Sequence, residues 1–216
     1  MGTLETAILP HLAGDLRAAG FRRAGRTFRI QNADADWGLV NFQSSTRSTT
    51  VVQVVTVNLA VSLGLIRAWE DPADDRIPHY SEGHWDSRIG HLLPEHDDKW
   101  WSISIPIEDP SAVVDLRRAV RDVGIPAVIA HMSATAIRDL WMAGPVPFLP
   151  NLRRLRDLLI VLSRIGPRDR FDEFADLLRV EAAGVEWWED KVETTIERLQ
   201  ADMRSEPPQW SLSGKG

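Results

Sequence analysis

The sequence predicts an α+β fold: a four-stranded, mainly antiparallel sheet with helices on one face, followed by an all-helical extension. Three observations carry that expectation. Residues 26–63 alternate apolar and polar positions at the two-residue period of strands, with polar turn segments between them. Apolar residues before and after this block recur at helical spacing. A break rich in proline and glycine, Gly144-Pro145-Val146-Pro147 with Pro150 beyond, separates it from a purely helical remainder. The expected domains are therefore residues 1–145 and 146–204, with a frayed tail over 205–216.

Leu4, Ile8, Leu12 and Leu16 predict a helix over 3–19, stopped by Gly20, which tolerates left-handed geometry. Phe28 and Ile30 share one face of a first strand over 26–31, and residues 32–36 read as a hairpin turn. A second strand covers 37–43, a polar loop 44–50, and a long β-branched strand 51–63. The segment 70–78 is acidic and carries two prolines, so it is a loop. Trp85, Ile89 and Leu92 stand at i, i+4 and i+7, which predicts a short helix ended by Pro94. Trp101, Ile103, Ile105 and Ile107 alternate with polar residues in a fourth strand. Asp109-Pro110 opens a helix running to Gly124, and another spans 126–141. In the extension, helices are expected over 150–165, 168–179 and 181–204, with stripes such as Leu152, Leu155, Leu159 and Leu162 facing inward.

Bulk properties exclude several function classes. The chain has no cysteine, so disulfides, thiolate nucleophiles and Cys-ligated zinc are impossible. Its net charge of −6 divides into +3 over residues 1–67, −8 over 68–109 and −1 over 110–216. The acidic middle argues against nucleic-acid binding, which needs a basic face. There is neither a secretory leader pattern nor an apolar run of membrane-spanning length, so a cytoplasmic location without membrane contact is expected. Walker, G-x-G-x-x-G and G-x-S-x-G patterns are absent, and no cofactor is expected. His79, Glu82 and His84 could supply metal donors, but their spacing departs from the helical zinc motif and Gly83 interrupts them; no metal is expected.

The densest chemistry lies in residues 84–101, with three tryptophans, three histidines and Arg88. Strand alternation places Trp37, Asn41, Thr56, Asn58, Trp100 and Ser102 on one sheet face if the strands pair in register. Amides, hydroxyls and indoles together suit a site that orients a ligand, whereas a merely solvated sheet face is the alternative. His84, Arg88 and His91 would form a helical stripe bordering that face. Imidazoles can serve as acid or base and a guanidinium can clamp an anion; alternatively Arg88 pairs with Asp86, Glu95 or Asp98. The candidate ligand-binding set is Trp37, Asn41, Asn58, His84, Arg88, His91, Trp100 and Ser102.

Several segments then occur in a characteristic order: Gly20-Phe21-Arg22-Arg23, Gly25-Arg26-Thr27-Phe28, Val40-Asn41-Phe42-Gln43, Val57-Asn58-Leu59, His84-Trp85, Arg88-Ile89-Gly90 and Trp100-Trp101. Over about residues 4–140 the chain resembles the uncharacterised bacterial family called domain of unknown function 4304. The resemblance implies a compact α+β domain and brings no activity, substrate or catalytic residue with it. Two functions remain open. One is a recognition domain for a small polar ligand or a protein partner, in the manner of small acidic immunity proteins by compositional analogy. The other is an enzyme using His84 or His91 as acid–base and Arg88 as anion clamp, with Asn41 and Asn58 orienting substrate.

Overall fold

The computed structural model describes residues 3–147 and 149–205 of the chain. They form two compact units. One comprises the chain up to Leu63 together with Asp75–Met132; the other comprises Gly64–Asp74 together with the chain from Ser133 onward.

The first unit begins with a π-type turn, Leu4–Ile8, that leads into α1 (Leu9–Ala18). Leu4, Ile8, Leu12 and Leu16 are all buried, as their spacing demands. Six strands follow in one antiparallel sheet: β1 (Arg22–Ala24), β2 (Thr27–Gln31), β3 (Trp37–Ser44), β4 (Val52–Ser62), β5 (Trp85–Arg88) and β6 (Trp101–Ser104). In sequence β4 runs on into α2 (Gly64–Glu70), which belongs to the second unit. The turn between β2 and β3 is organised by Asn32, whose Oδ1 accepts from the Asp34 and Asp36 backbone N–H groups at 3.0 and 2.9 Å. Such an Asx turn matches the turn chemistry read from the sequence.

The sheet has six strands where four were expected, for two reasons. β1 is only three residues long and pairs with β2 as a minimal hairpin, too short to register as alternation. The helix expected over 85–92 is instead β5 followed by a 3-10 turn, Ile89–Leu92. The spacing of Trp85, Ile89 and Leu92 satisfies a helical stripe, but pairing of 85–88 with β4 wins those residues for the sheet. The fourth expected strand is β6, which stops before the cis Ile105–Pro106 bond.

One face of the sheet is apolar: Phe28, Val40, Phe42, Val55, Val57, Leu59 and Val61 are fully buried. Helices cover it: α1, α3 (Ser111–Ala119) and α4 (Ile125–His131), with a π-type turn, Val120–Gly124, linking the last two. The cap position of α3 is Pro110 rather than the expected Asp109, which stands one residue earlier and accepts from Ser111 N–H at 2.9 Å. Gly38 lets α4 approach closely, because a methyl there would sit 2.5 Å from the Met132 sulfur and 2.6 Å from Val128 Cγ1. At fully buried positions each aliphatic side chain contributes roughly 1.5–3 kcal/mol relative to exposure.

A continuous helix over 126–141 does not form. Met132 leaves the helical region with ψ 54, and Ser133 accepts from Ala136 N–H to start α5 (Ala134–Met142). The two units meet in sequence at Met132/Ser133. In the second unit α5 packs with α6 (Asn151–Ile165), and Arg154 donates to the Trp141 carbonyl. A 3-10 turn precedes α7 (Phe171–Ala182), and α8 (Glu186–Ser205) completes the unit. Leu155, Leu159, Leu162, Phe171, Phe174, Leu178, Val192 and Leu199 are buried as their stripes foretell, whereas Val185 is exposed. Ser205 is helical; the rest of the expected tail, 206–216, lies outside the described residues.

Candidate functional site

Strand pairing builds the site. Directly paired residues in adjacent strands point to the same side of a sheet. Thr27 pairs with Asn41, Asn41 with Asn58, and Asn58 with Arg88. One polar residue from each of β2, β3, β4 and β5 thus stands in a single row, on the face opposite the apolar core. A second row sets Gln43 beside Thr56.

These side chains form a chain of hydrogen bonds. Asn41 Nδ2 donates to Thr27 Oγ1 at 2.8 Å. Asn58 Nδ2 donates to Gln43 Oε1 at 2.9 Å and to Asn41 Oδ1 at 3.3 Å. Asn41 and Asn58 are each only 8% exposed, so the network replaces water that burial removes. Thr56 is fully buried, and its Oγ1 donates to the Lys99 carbonyl at 2.9 Å.

The outer side of β4 gives the site its shape. β5 pairs with Asn58–Val61 and β6 pairs with Val52–Val55, both antiparallel. The two short strands are therefore one edge strand interrupted opposite Thr56 and Val57. Residues 89–100 leave and return at that interruption. Arg88 and Trp100, at its two lips, face each other, with the guanidinium carbon 5.2 Å from the indole centroid. Asp98 clasps both: it accepts from Arg88 Nη1 at 2.5 Å and from Trp100 Nε1 at 3.1 Å. Burial opposes the Asp98 carboxylate, but the hydrogen bonds from Arg88 and Trp100 and the charges of Arg88 and His91 outweigh it, holding its pKa below the ordinary value. Gly90 lets the excursion fold back, because a methyl there would overlap the Asp97 carbonyl oxygen and lie 2.5 Å from Lys99 N.

The structure gathers only part of the expected set. Asn41, Asn58, Arg88 and Trp100 meet at the interruption. Ser102 shares their face but is exposed beside Val54. Trp37 pairs with Gln31 and Ser62 at the far end of β3, roughly 13 Å along the strand from Asn41. His84 and His91 do not form a stripe with Arg88, since no helix exists there. His84 is buried, and its Nδ1 accepts the Leu63 backbone N–H at 2.8 Å while the His84 backbone N–H donates to the Val61 carbonyl. His91 lies in the 3-10 turn, its Nδ1 3.4 Å from the His96 carbonyl. Thr27 and Gln43 complete the network without having been singled out, whereas Asp98 is one of the three acids named from the sequence as alternative partners of Arg88. The signal for Gln43 was present as strand parity.

The metal donors weighed from the sequence have other work. Glu82 Oε2 accepts from Arg76 and from the His79 backbone N–H, which lowers its pKa. Among the described residues no cluster of three or more His, Asp or Glu could hold a metal ion, and no helix is long and apolar enough to cross a membrane.

No curated protein and no solved structure matches the chain. A family model does, over residues 12–130, which takes in most of α1, all six strands, the interrupted edge and nearly all of α4. That match covers more than half of the sequence, and the chain belongs to the family described as Domain of unknown function (DUF4304).

Proposed function

We propose that this chain is a recognition domain whose binding surface is the polar sheet face at the interrupted edge. The observation that carries this reading is the in-register row Thr27–Asn41–Asn58–Arg88, one polar side chain per strand over four strands. A buried amide row costs desolvation and needs partners, so a purely structural sheet face has little reason to carry one. Two amides and a guanidinium offer donors and acceptors in fixed positions, the means by which a site orients a polar ligand. Asp98 balances the Arg88 charge, which favours a hydrogen-bonding, polar ligand over a strongly anionic one. The engagement of His84 Nδ1 by a backbone N–H supports binding over acid–base turnover at this face.

The test is a thermal-shift screen of the full chain against uncharged polar metabolites and nucleosides, repeated on Asn58→Ala and Arg88→Ala. A ligand at about a hundred times its Kd stabilises by roughly 2.7 kcal/mol, well within detection. The reading expects a hit that both variants lose. A hit retained by both variants would refute it. A blank on the parent protein would refute the small-ligand form and leave this face to a protein partner, to be sought by pull-down.

A further inference from the structure

The helical unit holds a cavity of its own, of about 420 Å³, drawn from α2, α6, α7 and α8. That volume falls in the range of small-molecule sites. Its walls are largely apolar, with Leu152, Leu178 and Val192 alongside the indoles of Trp69 and Trp188. Trp69 is held in place by Arg198, stacked 4.2 Å from its ring centroid, and by Asp202, which accepts its Nε1–H at 3.2 Å.

Among the described residues, every charged side chain lining this cavity is a cation: Arg153, Arg156 and Lys191. Two acids stand behind them. Arg156 is shared between Glu70 and Asp157, each at 2.5 Å, and Arg153 lies 3.5 Å from Asp157. Asp157 is fully buried, and burial raises its pKa against the pull of both arginines. Lys191 rests over the Trp187 and Trp188 rings at 5.3 and 5.6 Å and has no carboxylate partner among the described residues. The cavity therefore combines an apolar interior with at least one uncompensated cation.

We propose that this cavity binds an amphiphilic anion, its apolar body between Trp69 and Trp188 and its carboxylate or phosphate head against Lys191 and Arg153. This site is separate from the polar sheet face, and apart from Trp69 its lining lies outside the residues that the family model matches. The apolar body accounts for the Leu, Val and Trp walls. The head accounts for the unpaired lysine.

Isothermal titration of the full chain with decanoate, decyl phosphate, decanol and decyltrimethylammonium tests this. Both anions should bind one to one, with decanol weaker by about tenfold or more, as the loss of one charge-assisted contact implies. The cation should give no heat. Lys191→Ala, at an exposed helix position, should weaken both anions about tenfold and leave decanol unchanged. Thr195→Trp, which fills the cavity from its wall, should abolish all binding while the circular dichroism stays that of the parent. Asn58→Ala should change nothing here, which separates this site from the sheet face. The tighter of the two anions identifies the head group. The proposal falls if neither anion binds, if decanol binds as well as decanoate, or if anion binding ignores both Lys191→Ala and Thr195→Trp.

Discussion

Gly90→Ala is the sharpest mechanical test of the interrupted edge. The added methyl would overlap the Asp97 carbonyl oxygen and stand 2.5 Å from Lys99 N, so backbone must move on one side or the other. Overpacking of this kind costs roughly 1–3 kcal/mol. Near the middle of that range, Tm should fall by about 4–8 °C for a chain of this length. The displaced segment is the one that carries Asp98, so the clasp on Arg88 and Trp100 should loosen as well. Gly14→Ala supplies the opposite control. Gly14 sits exposed inside α1 with nothing within 4 Å of an added methyl. There the substitution should gain about 0.8–1 kcal/mol of helix propensity and raise Tm by about 2–4 °C. Differential scanning calorimetry on the two variants reads both. If Gly90→Ala melts within about 1 °C of the parent, residues 94–99 do not pack back on Gly90 and the described edge is incorrect.

Further expectations concern the network and the charges. Asn58→Ala removes two donated hydrogen bonds and strands the buried Asn41 oxygen, so urea unfolding should show a loss of about 2–3 kcal/mol; a loss under about 0.5 would mean the amide row is not a stabilising unit. Ala35 holds φ 61 in the β2–β3 turn, and Ala35→Gly should stabilise by about half a kcal/mol, measured as a rise in urea midpoint; a fall would contradict the strain assigned to that residue. Asp98, Asp115 and Glu193 have folded pKa values lowered, Asp98 by the hydrogen bonds and charges that outweigh burial, Asp115 chiefly by Lys99 and Glu193 by Arg179. Groups of this kind contribute stability above their unfolded values, near 3.8 and 4.5, and lose it as pH falls through the folded values. The urea midpoint should accordingly decline below pH 4.5, with Asp157, whose pKa burial raises, acting in the opposite sense; a flat profile to pH 3 would show these pairs to be idle.

Much of the sheet was legible because strand parity is strict. The polar and apolar positions of residues 37–63 fall on the two faces that alternation assigns, and this alone placed Asn41 and Asn58 together. What alternation could not supply is which strand lies beside which. Nothing in residues 85–88 announces pairing with β4, and the helical spacing of Trp85, Ile89 and Leu92 misdirects the reading. His84 shows the same limit, since a histidine beside tryptophan looks chemical until its ring is found on the Leu63 N–H. The break at Met132 was invisible because Ser133 is a weak cap signal inside an otherwise helical pattern. The cavity of the helical unit draws on residues from Trp69 to Thr195, a grouping that no local window contains.

The divided outer edge of β4 has a kinetic consequence. Stability is distributed over locally opening segments, and a strand held by one neighbour along four residues opens more cheaply than one held on both sides. Because β5 and β6 each hold their own half of that edge, one can exchange its amide protons with solvent while the other stays closed. Hydrogen exchange should resolve two protection classes on the same line of the sheet. The lips of the candidate site would then be free to breathe separately, above a β3–β4 ladder that exchanges only on global unfolding.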